Sequence, residues 1–205
     1  VVARLIHRQS NRAQKAFVAL NCAALPKDVI ENELFGHEKG AFTGALIKKA
    51  GAFEQAHGGS LLFDEIAEIS PDTQAKLLRA IETQKFRRLG GKEEVNVDVR
   101  MLAATNKNIS AALKSKELRE DLYYRLSVIE IFIPPLRERK EDIPLLVDYF
   151  LSIFSTKYGK PRQTFSDESM ALLCGYDWPG PIALPHECQV VLGGFLGGRA
   201  SPRAV

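Results

Sequence analysis

Apolar residues in this chain fall into short dense runs separated by polar and glycine-rich breaks. Phe17-Val18-Ala19-Leu20 is a continuous apolar run stopped by Asn21, and Ser60-Leu61-Leu62-Phe63 is a second, stopped by Asp64 and Glu65. Runs of this kind, too short for a helix and without alternation, predict strands buried on both faces. Val95, Val97 and Val99 alternate with polar residues before Met101-Leu102-Ala103-Ala104, which predicts a third strand ending at Thr105-Asn106. The β-branched stretch Val128-Ile129-Glu130-Ile131-Phe132, stopped by Pro134-Pro135, predicts a fourth.

Helical spacing fills the intervals. Val2, Leu5 and Ile6 share one face of an opening helix, and Asp28 through Leu34 predicts another. Ala50 to Ala56 predicts a short helix broken at Gly58-Gly59. Ser70 is an N-cap with Pro71 in the first turn, and Ala75, Leu78 and Ile81 give that helix a core face as far as about Thr83. Phe86 through Gly91 reads as a basic turn, and Lys116 to Leu126 as a charged helix. Strands that alternate with helices and end in polar residues predict an α/β fold of the P-loop NTPase layout, an open parallel sheet flanked by helices with its site at the carboxyl ends. From Glu141 the period is helical only: Ile143, Leu146, Val147, Phe150 and Phe154 lie on one face, and Ser166-Asp167-Glu168 opens another helix through Leu173.

Composition narrows the function classes. A length of 205 residues with 45% hydrophobic content can bury a core, and a net charge of +3 from 28 basic and 25 acidic side chains is too balanced to argue for a nucleic-acid surface. Cys22, Cys174 and Cys188 form no CxxC pair, and His7, His37, His57 and His186 are scattered, so free thiols in a reducing compartment are expected. No apolar run approaches the ~20 residues of a membrane span and no leader is visible, which gives a cytoplasmic, membrane-independent expectation.

Candidate chemistry lies at the strand ends. Adjacent carboxylates at Asp64 and Glu65 suit a nucleotide site, one holding Mg²⁺ through its waters and the other orienting a water; a solvated strand end carries the same residues. Asn21 and Asn106 either face that crevice or cap turns. Arg119 and Arg125, six positions apart, lie about 120° apart on a regular helix and make no single clamp unless the helix ends between them; surface pairing with Glu120 and Asp121 is the simpler use. In Gly40-Ala41-Phe42-Thr43-Gly44-Ala45 one large apolar side chain stands among small residues, so Phe42 and Thr43 either ride on a protruding tip or tuck back into the core.

Extended to Glu33-Leu34-Phe35-Gly36-His37-Glu38-Lys39 before it, the glycine loop closely resembles the signature of bacterial sigma-54-dependent transcription activators, which are AAA+ ATPases. Gly58-Gly59-Ser60-Leu61-Leu62-Phe63-Asp64-Glu65-Ile66 resembles the Walker B segment of the same family. The resemblance covers roughly Val2 to Gly180. It implies that Gly40, Ala41, Phe42, Thr43, Gly44 and Ala45 engage the sigma-54 factor of RNA polymerase so that the promoter opens. It implies ATP and Mg²⁺ as cofactors, with Asp64 on the metal through water and Glu65 catalytic. Asn21 would restrain that glutamate, Thr105 and Asn106 would be sensor I, and Arg119 and Arg125 would reach a neighbour's ATP in a hexamer-like homo-oligomeric ring. It also implies an α/β core over 1–136, with Leu136 to Lys140 as linker, and a small C-terminal helical lid over 137–180, with DNA contacted only through a module outside this sequence.

The sequence departs from the family at both ends. No G-x-x-x-x-G-K-[ST] run occurs: the glycines of Gly91-Lys92 and Gly159-Lys160 are preceded at the required position by Phe86 and Phe154. Truncation upstream of Val1 is the expectation, with weak ATP binding and negligible hydrolysis by these residues. After Trp178-Pro179-Gly180, Pro181-Ile182-Ala183-Leu184-Pro185 stands where the family's sensor II helix is expected, with Ala183 in place of its arginine and Pro185 costing ~3 kcal/mol or more inside such a helix. A shifted reading frame near Gly180, making 181–205 an atypical tail, is the expectation. Alternatives are a nucleotide-independent sigma-factor docking module and an AAA+ remodeller with another client.

Overall fold

The computed structural model describes residues 2–178 and 188–193. Their strands are β1 (Phe17–Asn21), β2 (Gly36–His37), β3 (Lys49–Ala50), β4 (Ser60–Asp64), β5 (Lys85–Arg87), β6 (Glu94–Asn96), β7 (Arg100–Thr105), β8 (Ile129–Ile133) and β9 (Cys188–Gly193). The helices are α1 (Val2–Arg8), α2 (Lys27–Phe35), α3 (Ala52–Gln55), α4 (Pro71–Thr83), α5 (Ile109–Lys114), α6 (Glu120–Leu126), α7 (Ile143–Tyr158) and α8 (Asp167–Gly175). Two compact units emerge, one from the described residues up to 132 with 189–193, the other from those between 133 and 188.

The first unit is α/β. Its sheet runs β1-β4-β7-β9-β8, with β1, β4 and β7 parallel and β9 antiparallel to β7. The expectation of an open parallel sheet therefore holds for those three strands, while β9 departs from it. Leu61, Phe63 and Leu102 are fully buried, as expected of strands covered on both faces, but β1 at the end of the strand order is not: its apolar residues are half-buried and Ala19 is exposed. Phe53 of α3 packs against Phe63 at 6.2 Å between ring centroids and also touches Phe35 and Phe86 at 5.6 and 5.5 Å. That cluster joins the sheet to α2 and the β5–β6 hairpin.

Several local expectations are corrected. In α1 the buried residues are Ala3 and His7, whereas Leu5 is 52% exposed, because the His7 ring is drawn in by a 2.9 Å hydrogen bond to the Ser60 hydroxyl. In α4, which Ser70 caps through the Thr73 N–H as expected, Ala75 is exposed and the inner face is Thr73, Gln74, Leu77, Ala80 and Ile81. Of the alternating valines only Val95 lies in a strand, β6; Val97 and Val99 are buried in the link that leads to β7. The Gly58 N–H donates to the Asp98 carbonyl and the Arg12 guanidinium to both the carbonyl and carboxylate of Asp98, pinning the chain between β6 and β7. The basic turn is partly strand: Lys85–Arg87 pairs antiparallel with Glu94–Asn96. The charged helix begins only at Glu120, after a left-handed Lys116 (φ 59°), and α5, capped by Asn108, precedes it.

The second unit is helical. In α7 Ile143 is buried and Leu146, Val147 and Phe150 are half-buried, whereas Phe154, at the end of the expected apolar face, is exposed; Ser166 caps α8 through the Ser169 N–H. The expectations for residues 181–205 lie outside the described residues except at 188–193. No described helix is long and apolar enough to cross a membrane.

Candidate functional site

Parallel register places the candidate residues. Asn21 is the partner of Asp64 and Asp64 of Ala104, so Asn21, Asp64 and Thr105 end three neighbouring strands on one sheet edge. Just past β4 the chain turns sharply: Glu65 is left-handed (φ 57°, ψ 53°), a conformation costing about 1 kcal/mol or more for a residue with a Cβ. The turn carries the Glu65 carboxylate to the backbone N–H of Asn106, at 3.0 Å. Burial pushes the Glu65 carboxyl above the ordinary carboxylate range; the Asn106 N–H opposes that shift and the Asp64 charge adds to it. The Asn106 backbone and the candidate catalytic carboxylate are thus in direct contact.

The other predicted residues are placed as follows. The side-chain carbonyl of Asn21 accepts from the Ala23 and Ala24 N–H groups at 3.0 and 3.1 Å, so it caps a turn; no hydrogen bond joins it to Glu65 among the described residues. Thr105 is buried and its hydroxyl accepts from the Lys107 N–H. Lys107 bridges Glu68 and Glu117, both at 2.8 Å. Beside them Cys22 is buried, and desolvation with the nearby Asp64 charge pushes its thiol up to about 12, which keeps it an unreactive thiol.

Arg119 lies at the cap of α6 rather than within it, so the two arginines stand at opposite ends of one short helix. The Arg119 guanidinium pairs with Asp121 at 2.7 Å, and Arg125 is exposed in the last turn with no ion pair among the described residues. The Arg119 backbone is fixed by Gln74: the buried Gln74 amide accepts from the Arg119 N–H and donates to the carbonyls of Ile69 and Glu117. A polar residue inside a helix face was the one available signal for this anchor.

The glycine loop is built differently. β2 and β3 form its base, where Gly36 (φ 71°) lies so close to β3 that a Cβ would stand 2.2 Å from the Lys49 carbonyl oxygen. The Gly40 N–H donates to Ala45 and the Ala45 N–H to Phe42, closing the tip. From the side the loop is held by the segment after β5: Glu38 N–H donates to the Leu89 carbonyl and Leu89 N–H to that of Gly36. Arg88, with a side chain only 11% exposed, forks to Glu54 at 2.5 Å and Glu38 at 2.8 Å. Hydrogen bonding to Lys48 and then Arg88 holds the Glu38 carboxyl below its ordinary range. Phe42 is 47% exposed, its ring resting edge-on against His37 at 5.0 Å, and Thr43 is exposed. The Arg88 clamp escaped sequence reading because its partners lie 34 and 50 positions away.

The site's fit to ATP and Mg²⁺ is one-sided. Asp64 and Glu65 suit a water-bridged Mg²⁺, and no cluster of three or more potential metal ligands occurs among the described residues. The glycine-lysine cradle for phosphates has no counterpart in the 205 residues.

Residues 1–132 match the family model described as the sigma-54 interaction domain, and residues 137–183 match that of the AAA+ ATPase lid domain. The chain is 51% identical to the phenol regulator MopR of Acinetobacter guillouiae, over 88% of this chain and 32% of that protein. It is 45% identical to the transcriptional regulatory protein ZraR of Escherichia coli, over its whole length and 48% of the relative's. The chain thus spans about a third to a half of the curated relatives it matches. A crystal structure of NtrX from Brucella abortus in complex with ADP superimposes with a TM-score of 0.78 at 41% identity, covering 87% of this chain and 39% of that one.

Proposed function

This chain belongs to the sigma-54 interaction domain family, with an AAA+ ATPase lid following it in sequence, and from that premise we propose that it is the module of a transcription activator that engages sigma-54 through the Phe42 loop. In the whole activator this contact would transmit ATP hydrolysis to RNA polymerase so that the promoter opens. The observation that carries the reading is the loop itself: an apolar tip offered to solvent on a base braced by Arg88, over the same aromatic cluster that packs against the Asp64 strand. An exposed Phe on a braced loop is suited to meet a partner.

The strand-end residues supply half of a nucleotide site. Asp64 would hold Mg²⁺ through water, Glu65 would orient the attacking water, and Asn106 with Thr105 would register the nucleotide. Asn21 restrains Glu65 only if its side chain leaves the Ala23–Ala24 turn. Arg119 and Arg125 would serve a neighbouring protomer in a homo-oligomeric ring. Because the 205 residues hold no phosphate cradle, they bind ATP weakly and hydrolyse it negligibly by themselves. Glu65-dependent turnover by this chain, measured as released phosphate, would refute that.

A second reading, a docking module that holds sigma-54 without nucleotide, is favoured by the complete loop beside the incomplete nucleotide site. Binding of sigma-54 by the whole activator, with and without ATP, separates the two: ATP-dependent affinity supports the ATP-driven activator, and nucleotide-independent affinity supports the docking module. Under both, Phe42→Ala and substitution of Thr43 weaken the contact at least tenfold. Unchanged binding by both variants would point instead to a remodeller with another client.

A further inference from the structure

Two side chains just beyond the glycine loop are more exposed than Phe42. Leu46 is 78% and Ile47 74% exposed, and they are consecutive. They lie in an irregular arm between the loop and β3, and neither side chain is packed against the unit. Nor is the arm slack. Leu46 N–H donates to the Gly44 carbonyl at 2.9 Å, Ala45 beneath it is buried, and Lys49 enters β3 directly after. An aliphatic pair is therefore held out in water on a fixed base, continuous with Phe42.

We propose that Leu46 and Ile47 are the larger apolar part of the docking tip, and that they seat in an apolar patch of sigma-54 beside the point reached by Phe42. This rests on the proposed sigma-54 reading of the loop. Sigma-54 is chosen as occupant because the pair extends the very loop assigned to that partner. The chemistry of the patch follows from the flanking charges. Lys48 is paired with Glu38 at 3.1 Å and Lys49 with Glu33 at 2.5 Å, so these lysines are occupied within the chain and the arm offers chiefly apolar surface. Phe42 has one edge already spent on His37, whereas Leu46 and Ile47 keep most of their surface available for burial.

The test is site-specific photo-crosslinking of the full 205-residue chain to purified sigma-54, with a benzophenone amino acid placed in turn at 42, 46, 47 and, as a control, 172. Leu172 is 77% exposed but belongs to the helical unit. Positions 46 and 47 should crosslink to sigma-54 at least as strongly as 42, and 172 should not. In parallel, the double variant Leu46→Ser/Ile47→Ser should bind sigma-54 at least tenfold more weakly with an unchanged melting temperature. Crosslinking at 42 alone, or a double variant of unchanged affinity, overturns this inference and leaves the Phe42 reading standing. Crosslinks at 46 and 47 only to a second copy of the chain overturn it in favour of self-association. Silence at 42, 46 and 47 together removes both readings.

Discussion

The strand-end cluster around Asp64 and the glycine loop around Phe42 are held by different means. Asp64, Asn21 and Thr105 are fixed by parallel register in a buried sheet, and Glu65 is carried to Asn106 by a left-handed turn. The loop has only the two-residue strands β2 and β3 beneath it and depends on a charged clamp and a glycine no other residue can replace. Carboxylates for chemistry need a rigid edge, whereas a loop that meets a partner needs a base that can be braced or released. Electrostatics differ in sign as well: burial raises Glu65, while Lys48 and Arg88 lower Glu38.

Phe53 tests what the two regions share. It is fully buried and touches Phe63 on the sheet side and Phe35 and Phe86 on the loop side. Phe53→Ala should cost about 3–5 kcal/mol and loosen both regions, read as a lowered denaturation midpoint with lost amide protection at both Asn106 and Ala45. Protection lost in the loop alone would mean that the regions do not share a core.

Gly36→Ala separates them. Strain from the positive φ and the clash with the Lys49 carbonyl should cost about 3 kcal/mol, with protection lost at Ala45 and Leu89 but kept at Asn106.

A smaller effect comes from pH. Glu38, lowered in the folded state, supports the loop fully above the unfolded carboxyl range near 4.5, and that support fades as pH falls through its depressed value. Glu65, raised in the folded state, works the other way: its ionisation opposes folding above its elevated value, and the penalty disappears as pH falls below 4.5. Acidification from neutrality should therefore relieve the strand end before it releases the loop. Glu65→Gln should remove the first effect, Arg88→Met should weaken the second, and amide exchange against pH reads both.

Much of this was legible in the sequence. Dense apolar runs gave β1 and β4, and the N-caps Ser70 and Ser166 gave the starts of α4 and α8, because those signals are local. What escaped depends on distant partners. The inner face of α4 rotates because Gln74 finds Ile69, Glu117 and Arg119, and the valine run splits because Arg12 grips Asp98 across 86 positions. Arg88 read as part of a turn because Glu38 and Glu54 are far off in sequence. The paired carboxylates were visible as a pattern, but the Glu65 contact with a backbone N–H at 106 requires the sheet.

In the proposed reading, the tip of the glycine loop is this chain's contact with sigma-54. The most direct test is the equilibrium affinity of the 205-residue chain for sigma-54 measured by fluorescence anisotropy, for the wild type, Phe42→Ala and Leu5→Ser. Leu5 is an exposed apolar residue outside the loop. Phe42→Ala should weaken binding at least tenfold and Leu5→Ser should leave it unchanged; equal affinity of wild type and Phe42→Ala would contradict the account.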